Sequence, residues 1–371
     1  MTIKILQGNS LDILGDLEKD SIDTCVTSPP YWGLRDYGTA TWVGGDPSCS
    51  HKRDSKFSES CSTGQKNLEG AIGDGIYKSE CPRCGAIRED EQLGLEETPE
   101  EYVNKMADLF DKVKDVLKPE GTLWLNIGDS YIGGGRGYEY CDDGTIQQNH
   151  IDAGVKYGKP TGKVQGYKPK DLVGIPWMMA FELRRRGWWL RQDIIWNKPN
   201  PMPESVTDRC TKSHEYIFLL SKSKHYHYDH EAIKEEAVGE RWGKDTPINM
   251  ERTKDIENKF NGLTRERKMI YETRNKRSVW TVNPKPYKEA HFAVYPTKLI
   301  EPCILAGCPE GGTVLDPFGG SGTTGLVADR LKRSAVLIEL NPDYVEIMRK
   351  RLEGDAPLFT DINIDGINTS D

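Results

Sequence analysis

The tetrapeptide Ser28-Pro29-Pro30-Tyr31 near the N-terminus has residue types that could hold an amino group. A serine hydroxyl accepts hydrogen bonds, and proline offers a carbonyl without an N–H. Placed together, the two can accept hydrogen bonds from a ligand NH₂ group. The tyrosine supplies a flat face on which a base can stack. The alternative is a structural Pro-Pro turn with chance aromatic neighbours. The chain has no Gly-x-Ser-x-Gly elbow, so nothing marks the serine as an activated nucleophile.

A second stretch, near the C-terminus, has the composition of a nucleoside-binding turn. An apolar segment leads through Pro-Phe-Gly-Gly-Ser-Gly into a helical pattern. Glycines allow a tight turn and a close ligand approach, and a helix N-terminus presents free N–H groups. The next apolar strand ends in Glu339, 19 residues after Gly320, where a carboxylate can accept from both hydroxyls of a ribose. The candidate cofactor-binding residues are Asp316, Phe318, Gly320, Gly322, Thr323 and Glu339.

Two common nucleotide motifs do not match this turn. The full dinucleotide fingerprint G-x-G-x-x-G is not met, and no Walker lysine follows the glycines. A plain strand-to-helix connection is the alternative interpretation of the glycines. The carboxylate at the end of the following strand favours a nucleoside cofactor over that alternative.

The two motifs together resemble those of the DNA amino-methyltransferases, which methylate cytosine N4 or adenine N6. Here the Ser-Pro-Pro-Tyr motif precedes the Asp-Pro-Phe-Gly-Gly-Ser-Gly-Thr-Thr motif by nearly 290 residues, an order similar to that of the circularly permuted β group. The resemblance covers most of the chain, including residues 121–131, 189–222 and 291–352. It implies an α/β Rossmann-like methyltransferase fold, circularly permuted, with a mostly parallel central sheet. It also implies S-adenosylmethionine as the cofactor.

The chemistry of such a site lies mainly in alignment. Fixed acceptors pull on the amine protons and favour a pyramidal nitrogen whose lone pair points at the methyl sulfonium. In this family, Asp at the first motif position is typical of adenine-N6 enzymes and Ser of cytosine-N4 enzymes. Ser28 therefore predicts a site-specific DNA methyltransferase acting on the N4 amine of a flipped cytosine in duplex DNA. Adenine-N6 methylation is the alternative. More distant alternatives are a non-catalytic nucleic-acid-binding module on this fold and methylation of RNA or a small amine.

The resemblance implies further cofactor contacts. His291, Phe292 and Pro296 match the family segment that closes over the methionine end of the cofactor. The family usually has Gly-Asp in the segment before the catalytic motif, and that acid helps to hold the cofactor adenine. This chain has Gly8-Asn9 instead. Asn9 is therefore the candidate residue at that position, and the adenine contact stays open.

Four cysteine and histidine residues have spacings that could bind a metal. Cys81 and Cys84 form a Cys-x-x-Cys-Gly knuckle, and Cys49 and His51 could supply the other two ligands. A polar insertion without its own core gains stability from a metal, so we expect a structural zinc ion. The alternatives are unligated thiols and the replacement of one ligand by Cys61.

Charge and composition set the class of protein. Apolar residues make up 36% of the 371 residues and charged residues 29%, typical of a globular protein. Neither a bilayer-spanning stretch nor a signal-peptide core is present, so we expect no membrane association and a cytoplasmic, bacterial or phage-encoded type. The net charge of -8 argues at first against a nucleic-acid partner. However, residues 156–170 carry five lysines and no acid, and residues 241–277 carry eleven basic against six acidic residues. We expect both stretches on the side of Ser28, facing double-stranded DNA.

The order of helices and strands predicts how these residues are positioned. Strands alternate with helices, most clearly over residues 298–352, which favours a parallel α/β sheet. We expect one methyltransferase domain over residues 1–371. Within it, we expect a zinc-binding insertion at 44–88, a polar target-recognition region at 231–286 and an acidic tail at 353–371. The recognition sequence, a restriction–modification partner endonuclease and a homodimer are left open.

Overall fold

A nine-stranded sheet forms the centre of the protein in a computed structural model. The structure describes residues 1–33, 39–51, 80–132, 139–140, 146–147, 164, 166–237, 273–284, 294–355 and 361–365. In spatial order the sheet strands are β12 (Val279–Thr281), β8 (Trp189–Asn197), β9 (His214–Ser221), β5 (Leu117–Ile127), β2 (Ile22–Thr27), β13 (Thr313–Asp316), β14 (Ser334–Glu339), β1 (Thr2–Gln7) and β15 (Asp361–Asp365). Among these strands, β9 alone runs against its neighbours. The predicted α/β fold with a mostly parallel sheet is therefore confirmed.

In the described parts of the chain, three short two-stranded ribbons lie outside this sheet. They pair β3 (Thr41–Val43) with β4 (Ile87–Glu89), β6 (Glu139–Tyr140) with β7 (Ile146–Gln147), and β10 (Glu235–Glu236) with β11 (Thr273–Arg274). The β3–β4 ribbon closes the base of the predicted zinc-binding insertion, since its two strands flank that segment of the chain.

Helices cover both faces of the sheet and bury two separate cores. On one face lie α1 (Ser10–Asp16), α2 (Pro99–Val116) and α3 (Ile175–Arg185). On the other face lie α4 (Thr297–Gly307), α5 (Thr323–Arg330) and α6 (Pro342–Asp355). Strand β2 and residues 121–127 of β5 are almost wholly buried, because helices cover the central strands on both faces. None of the described helices combines the length and the apolar character needed to cross a bilayer.

Helix α2 shows how local sequence sets an element. The Thr98 hydroxyl accepts a hydrogen bond of 3.2 Å from the Glu101 N–H, and Pro99 occupies the first turn, where its missing N–H has no cost. Met106, Phe110 and their helical neighbours then pack into the first core. Both the cap and the apolar spacing are therefore set by the local sequence of this helix.

Two of the predicted segments, within the described residues, contain strands of the central sheet. The polar region 231–286 contains β12, which pairs with β8 and buries Trp280. The acidic segment 353–371 contains the end of α6 and then β15, which pairs with β1. Ile362 and Ile364 of that strand pack on the second core. Each short strand pairs with an edge of the sheet, which offers unpaired backbone N–H and C=O groups. The composition of the two segments does not predict this pairing.

Candidate active site

The two motifs identified in the sequence meet in the middle of the sheet. Strand β2 ends one residue before Ser28, and β13 ends where the glycine-rich loop begins. The two strands are parallel neighbours, with Leu315 paired to Cys25. The Thr27 hydroxyl donates a hydrogen bond of 2.6 Å to Asp316 Oδ1, across 289 residues of sequence. Because parallel strands end at the same edge, residues 28–31, which form the candidate catalytic turn, lie beside the candidate cofactor loop.

The buried Asp316 carboxylate accepts hydrogen bonds from other groups of the protein. Its Oδ1 also accepts from the Phe318 N–H at 3.0 Å, and its Oδ2 accepts from the Tyr295 hydroxyl at 2.9 Å and from the Thr324 hydroxyl. These donors lower the pKa of the carboxyl, whereas its burial, the larger effect, raises it. A carboxylate has about four acceptor positions, and all four are filled. Through these four bonds, Asp316 shapes the loop of the predicted cofactor site.

The glycine-rich loop adopts a backbone that favours glycine. Gly320 and Gly322 have φ angles of +50° and +77°. A Cβ on Gly322 would lie 2.5 Å from Met348 Cγ, so the loop presses on α6 there. A Cβ on Gly320 would meet nothing closer than 3.9 Å. The backbone is therefore open at Gly320, where a ligand can approach it.

Glu339 lies beside this open backbone. One carboxylate oxygen accepts from the Gly320 N–H at 2.8 Å and the other from the Asn341 N–H at 2.9 Å. The carboxylate can still accept further hydrogen bonds, which suits a pair of ribose hydroxyls. Burial raises the pKa of this carboxyl, and the two N–H donors oppose that rise.

Three more of the candidate cofactor residues have defined neighbours. The Thr323 hydroxyl accepts a 2.8 Å hydrogen bond from Arg351 and is buried. Phe318 is partly buried against the first core. Pro296 is buried at the start of α4, directly after Tyr295. His291 and Phe292 lie outside the described residues.

Asn9 follows β1 at the same edge of the sheet. Its Oδ1 accepts from the Leu11 N–H at 2.9 Å and caps α1. Its amide nitrogen donates to Glu91 Oε2 at 3.1 Å. A carboxylate is thus adjacent to the position where the family usually has an acid, and it comes from a different part of the chain.

The catalytic turn is fixed by aromatic and backbone contacts. The Tyr102 hydroxyl donates to the Pro30 carbonyl at 2.8 Å, and Pro29 is buried. The Tyr31 ring lies directly over Gly128, where a Cβ would approach the ring to 2.6 Å. These contacts hold the turn, while Ser28 remains partly exposed at the edge of the sheet.

A chain of polar side chains extends from Ser28 into the protein. The Ser28 hydroxyl donates to the Tyr31 oxygen at 3.4 Å, and the Tyr31 hydroxyl donates to Glu215 Oε2 at 2.9 Å. Asn126 Nδ2 also donates to Glu215 Oε2, at 3.4 Å, and Lys198 pairs with Oε1. Burial, followed by the charge of Glu215, raises the pKa of Tyr31 well above its usual value. Tyr31 is therefore a neutral donor at physiological pH.

Sequence reasoning assigned no role to Asn126 or Glu215. Glu215 and Lys198 stood in segments that carried the family resemblance, and Asn126 interrupts an otherwise apolar run that continues to Ile127. A buried polar residue in such a run was the available signal for Asn126, which is 4% exposed. No local pattern connects it with residues about 90 positions later.

The predicted metal ligands come together. The ligand atoms of Cys49, His51, Cys81 and Cys84 all lie within 4.8 Å of one another. The Cys49 and Cys81 sulfurs are 3.8 Å apart, and the Cys84 sulfur is 3.6 Å from His51 Nδ1. Ligands at about 2.0–2.3 Å from a tetrahedral zinc ion lie roughly 3.5–3.8 Å from one another, so the four residues fit zinc.

Backbone hydrogen bonds and a ring stack hold three of these four residues in place. The Cys81 N–H bonds to the Ala86 carbonyl at 2.8 Å, and the Gly85 N–H bonds to the Cys81 carbonyl at 2.8 Å, which forms the knuckle. The His51 ring stacks on Trp42 with centroids 4.2 Å apart. Most of residues 156–170 and 241–277, and Cys61, lie outside the described residues.

Comparison with known proteins agrees with this geometry. A model of the DNA methylase family N6_N4_Mtase matches residues 22–350. The chain belongs to this family. The Type II methyltransferase M.Cfr9I of Citrobacter freundii is 41% identical to this DNA methylase over 352 residues, 95% of this chain and 88% of the relative. M.SmaI of Serratia marcescens is 40% identical over 349 residues, 94% and 90% of the two chains.

Solved structures share the fold of this DNA methylase. The PvuII DNA methyltransferase (cytosine-N4-specific) has a TM-score of 0.53 at 16% identity and covers 95% of this chain and 86% of that one. A protein from Thermus thermophilus, solved with S-adenosyl-L-methionine, has a TM-score of 0.50 at 18% identity, with 98% and 100% covered. The expected resemblance to the permuted amino-methyltransferases is confirmed.

Proposed function

We propose that this DNA methylase transfers the methyl group of S-adenosylmethionine to the N4 amine of a flipped cytosine in duplex DNA. The observation that carries the proposal is the Thr27–Asp316 hydrogen bond, which joins the two motif-bearing strands. The amine-accepting turn and the nucleoside loop are therefore neighbours. Alignment of two bound reactants supplies most of what this reaction needs.

The cofactor residues divide into direct and indirect contacts. S-adenosylmethionine supplies an electrophilic methyl group on a sulfonium. Glu339 would accept from the ribose hydroxyls, the Gly320 backbone would approach the nucleoside, and Asn9 with Glu91 would meet the adenine. Asp316, Thr323 and Gly322 would hold the loop in place. Phe318, His291, Phe292 and Pro296 would enclose the cofactor, the last three at its methionine end, as the family resemblance implies.

The catalytic residues act on the target amine. The Ser28 oxygen and the Pro29 carbonyl would accept its two hydrogens, which turns the nitrogen lone pair toward the methyl group. The Tyr31 ring would stack on the base. The Pro30 carbonyl, which accepts from the Tyr102 hydroxyl, would hold the turn in place. Ser28 favours cytosine N4, and the fold neighbour PvuII is by its name a cytosine-N4 enzyme.

Mass spectrometry of nucleosides tests the proposal. Genomic DNA from a host without the enzyme is incubated with the purified protein and S-adenosylmethionine, with Ser28→Ala as the inactive control. We expect N4-methylcytosine. N6-methyladenine alone would identify the adenine-N6 alternative, and no methylated base at all would leave a non-catalytic binding module. Competition between duplex DNA and RNA separates the remaining substrates.

The Type II relatives suggest that the enzyme serves in a restriction–modification system and binds double-stranded DNA. Residues 156–170 and 241–277 would supply the positive charge for the duplex, and region 231–286 would recognise the target sequence. Sequencing of host DNA with modified-base detection after expression gives the recognition site. A methylated base without a fixed sequence context would contradict this assignment.

We also propose that Cys49, His51, Cys81 and Cys84 bind a structural zinc ion. The sulfur and nitrogen spacing supports this assignment, and four protein ligands would leave no open position for catalysis. Metal analysis of the purified protein is expected to give one zinc per chain. Less than about a tenth of an equivalent would overturn the assignment.

A further inference from the structure

Glu215 is held at the catalytic edge as a hydrogen-bond acceptor. Lys198 pairs with one of its oxygens, and Asn126 donates to the other at 3.4 Å. The two charged side chains are 16% and 19% exposed. A carboxylate can only accept and an ammonium can only donate. Tyr31 is the third neighbour. Because the carboxylate has no hydrogen to donate, the Tyr31 hydroxyl has to donate to Glu215.

The direction of the Tyr31–Glu215 hydrogen bond sets the direction of the next hydrogen bond, between Ser28 and Tyr31. The single Tyr31 hydroxyl hydrogen is donated to Glu215 at 2.9 Å, with Asn126 Oδ1 as a more distant acceptor at 3.4 Å, so toward Ser28 the Tyr31 oxygen can only accept. The Ser28 hydrogen therefore points at Tyr31, over 3.4 Å. The lone pairs of the Ser28 oxygen are then free to accept hydrogen bonds from a ligand.

We propose that Glu215 is a positioning residue that sets the direction of this hydrogen-bond chain and keeps Ser28 an acceptor for the target amine. This inference rests on the proposed methyl transfer. It explains how a neutral serine can serve where other family members have a charged aspartate. The negative charge lies two hydrogen bonds away, and a chain of such bonds in a buried site is mutually polarised.

The direction of the chain matters because of the charge that develops on nitrogen. The amine nitrogen forms a bond to the methyl carbon, and the carbon–sulfur electron pair stays on sulfur. The nitrogen becomes positive and then releases one proton to solvent water. A lone pair directed at its N–H groups stabilises that charge, whereas a hydroxyl hydrogen directed at them opposes it.

Glu215→Gln should reverse the chain. Lys198 still requires an oxygen, and hydrogen bonds to a charged group are about twice as strong as neutral ones. The glutamine oxygen therefore turns to Lys198 and its NH₂ group to Tyr31. That NH₂ group would also take Asn126 Oδ1, the other acceptor within reach of the Tyr31 hydroxyl. Tyr31 would then donate to Ser28, whose hydrogen would face the amine. We expect kcat to fall at least about 10-fold, with KM for S-adenosylmethionine and DNA changed by less than about twofold.

A second substitution distinguishes direction from mere packing. In Lys198→Met with Glu215→Gln, the glutamine oxygen is free to face Tyr31, so most of the lost kcat should return. In a Tyr31→Phe background, which lacks the hydroxyl, Glu215→Gln should change kcat by less than about twofold. Glu120→Gln is the matched control, because it is exposed near the opposite end of β5. The measurement is tritiated methyl transfer to genomic DNA from a host without the enzyme, with thermal unfolding of each variant.

The outcomes decide between the claims. A wild-type kcat in Glu215→Gln, or a loss that Lys198→Met fails to relieve, overturns the positioning role. An undiminished effect of Glu215→Gln in the Tyr31→Phe background also overturns it. If Glu215→Gln does not fold, the double variant, which leaves no charge unpaired, must still exceed Tyr31→Phe in kcat. Total tritium is counted whichever base is methylated, so failure of the cytosine assignment stays distinguishable from failure of this role.

Discussion

The hydroxyl of Thr27 donates a hydrogen bond to the carboxylate of Asp316 over 2.6 Å, although the two residues are 289 positions apart. Thr27 is the last residue of the strand that leads to Ser28, and Asp316 is the last of the strand that leads to the glycine-rich loop. The bond is buried, so water does not compete with it. It couples the position of the catalytic turn to that of the candidate cofactor loop.

Thr27→Val should weaken both stability and activity. Valine has nearly the same shape, but it leaves one acceptor position of the buried Asp316 carboxylate unfilled. We expect the free energy of unfolding to fall by about 1–3 kcal/mol, with a lower affinity for S-adenosylmethionine. Urea unfolding and calorimetric titration measure the two effects. Thr2→Val, at an exposed position of β1, is the control, and equal stability of the two variants would contradict the prediction.

Cofactor affinity should depend on pH through Glu339. Burial raises the pKa of this carboxyl in the folded protein. Ribose hydroxyls donate hydrogen bonds, so they favour the ionised form, and binding lowers the pKa. Affinity is therefore highest above the raised pKa and falls as the pH drops through it. Glu339→Gln should bind more weakly at neutral pH and lose this dependence.

Calorimetric titration of S-adenosylmethionine from neutral pH to about pH 5 checks the prediction. Glu301→Gln is the matched control, because Glu301 is exposed on α4. An identical pH dependence in Glu339→Gln and in the wild type would place the titrating group elsewhere.

Gly128→Ala should displace the Tyr31 ring. The added Cβ would lie 2.6 Å from Tyr31 Cε2, closer than atoms in contact can stand. We expect kcat to fall at least about 10-fold, because a reacting group displaced by about 1 Å can cost roughly 100-fold. Gly354→Ala meets nothing within 4 Å and is the control. Steady-state methyl transfer measures kcat, and a wild-type value for Gly128→Ala would show that the ring position does not matter.

Loss of one zinc ligand should release the metal and loosen the insertion. Cys84→Ser is expected to reduce bound zinc to well below one equivalent and to lower the unfolding temperature by several degrees. Cys210→Ser, at an exposed cysteine, should keep the metal. Metal analysis and thermal unfolding measure both quantities. A chelator should reproduce the effect in the wild type, and an unchanged zinc content in Cys84→Ser would exclude this residue as a ligand.

Much of the fold could be predicted because local patterns produce it. The cap at Thr98, the glycine-rich turn and the strand ending at Glu339 each follow from residues within a few positions of one another. Strands β12 and β15 escaped prediction because they are short and lie in polar segments of the sequence, and pairing with a sheet edge stabilises them.

By itself, the sequence determined the two motifs, their permuted order and the four candidate metal ligands, since residue type and spacing carry that information. Only the tertiary structure decided that Asp316 is fully occupied by internal donors and that Glu215 lies behind Tyr31. The physical reason is that a hydrogen bond depends on distance and direction in space. Strand order brings together Thr27 with Asp316 and Tyr31 with Glu215, and no spacing along the chain encodes those meetings.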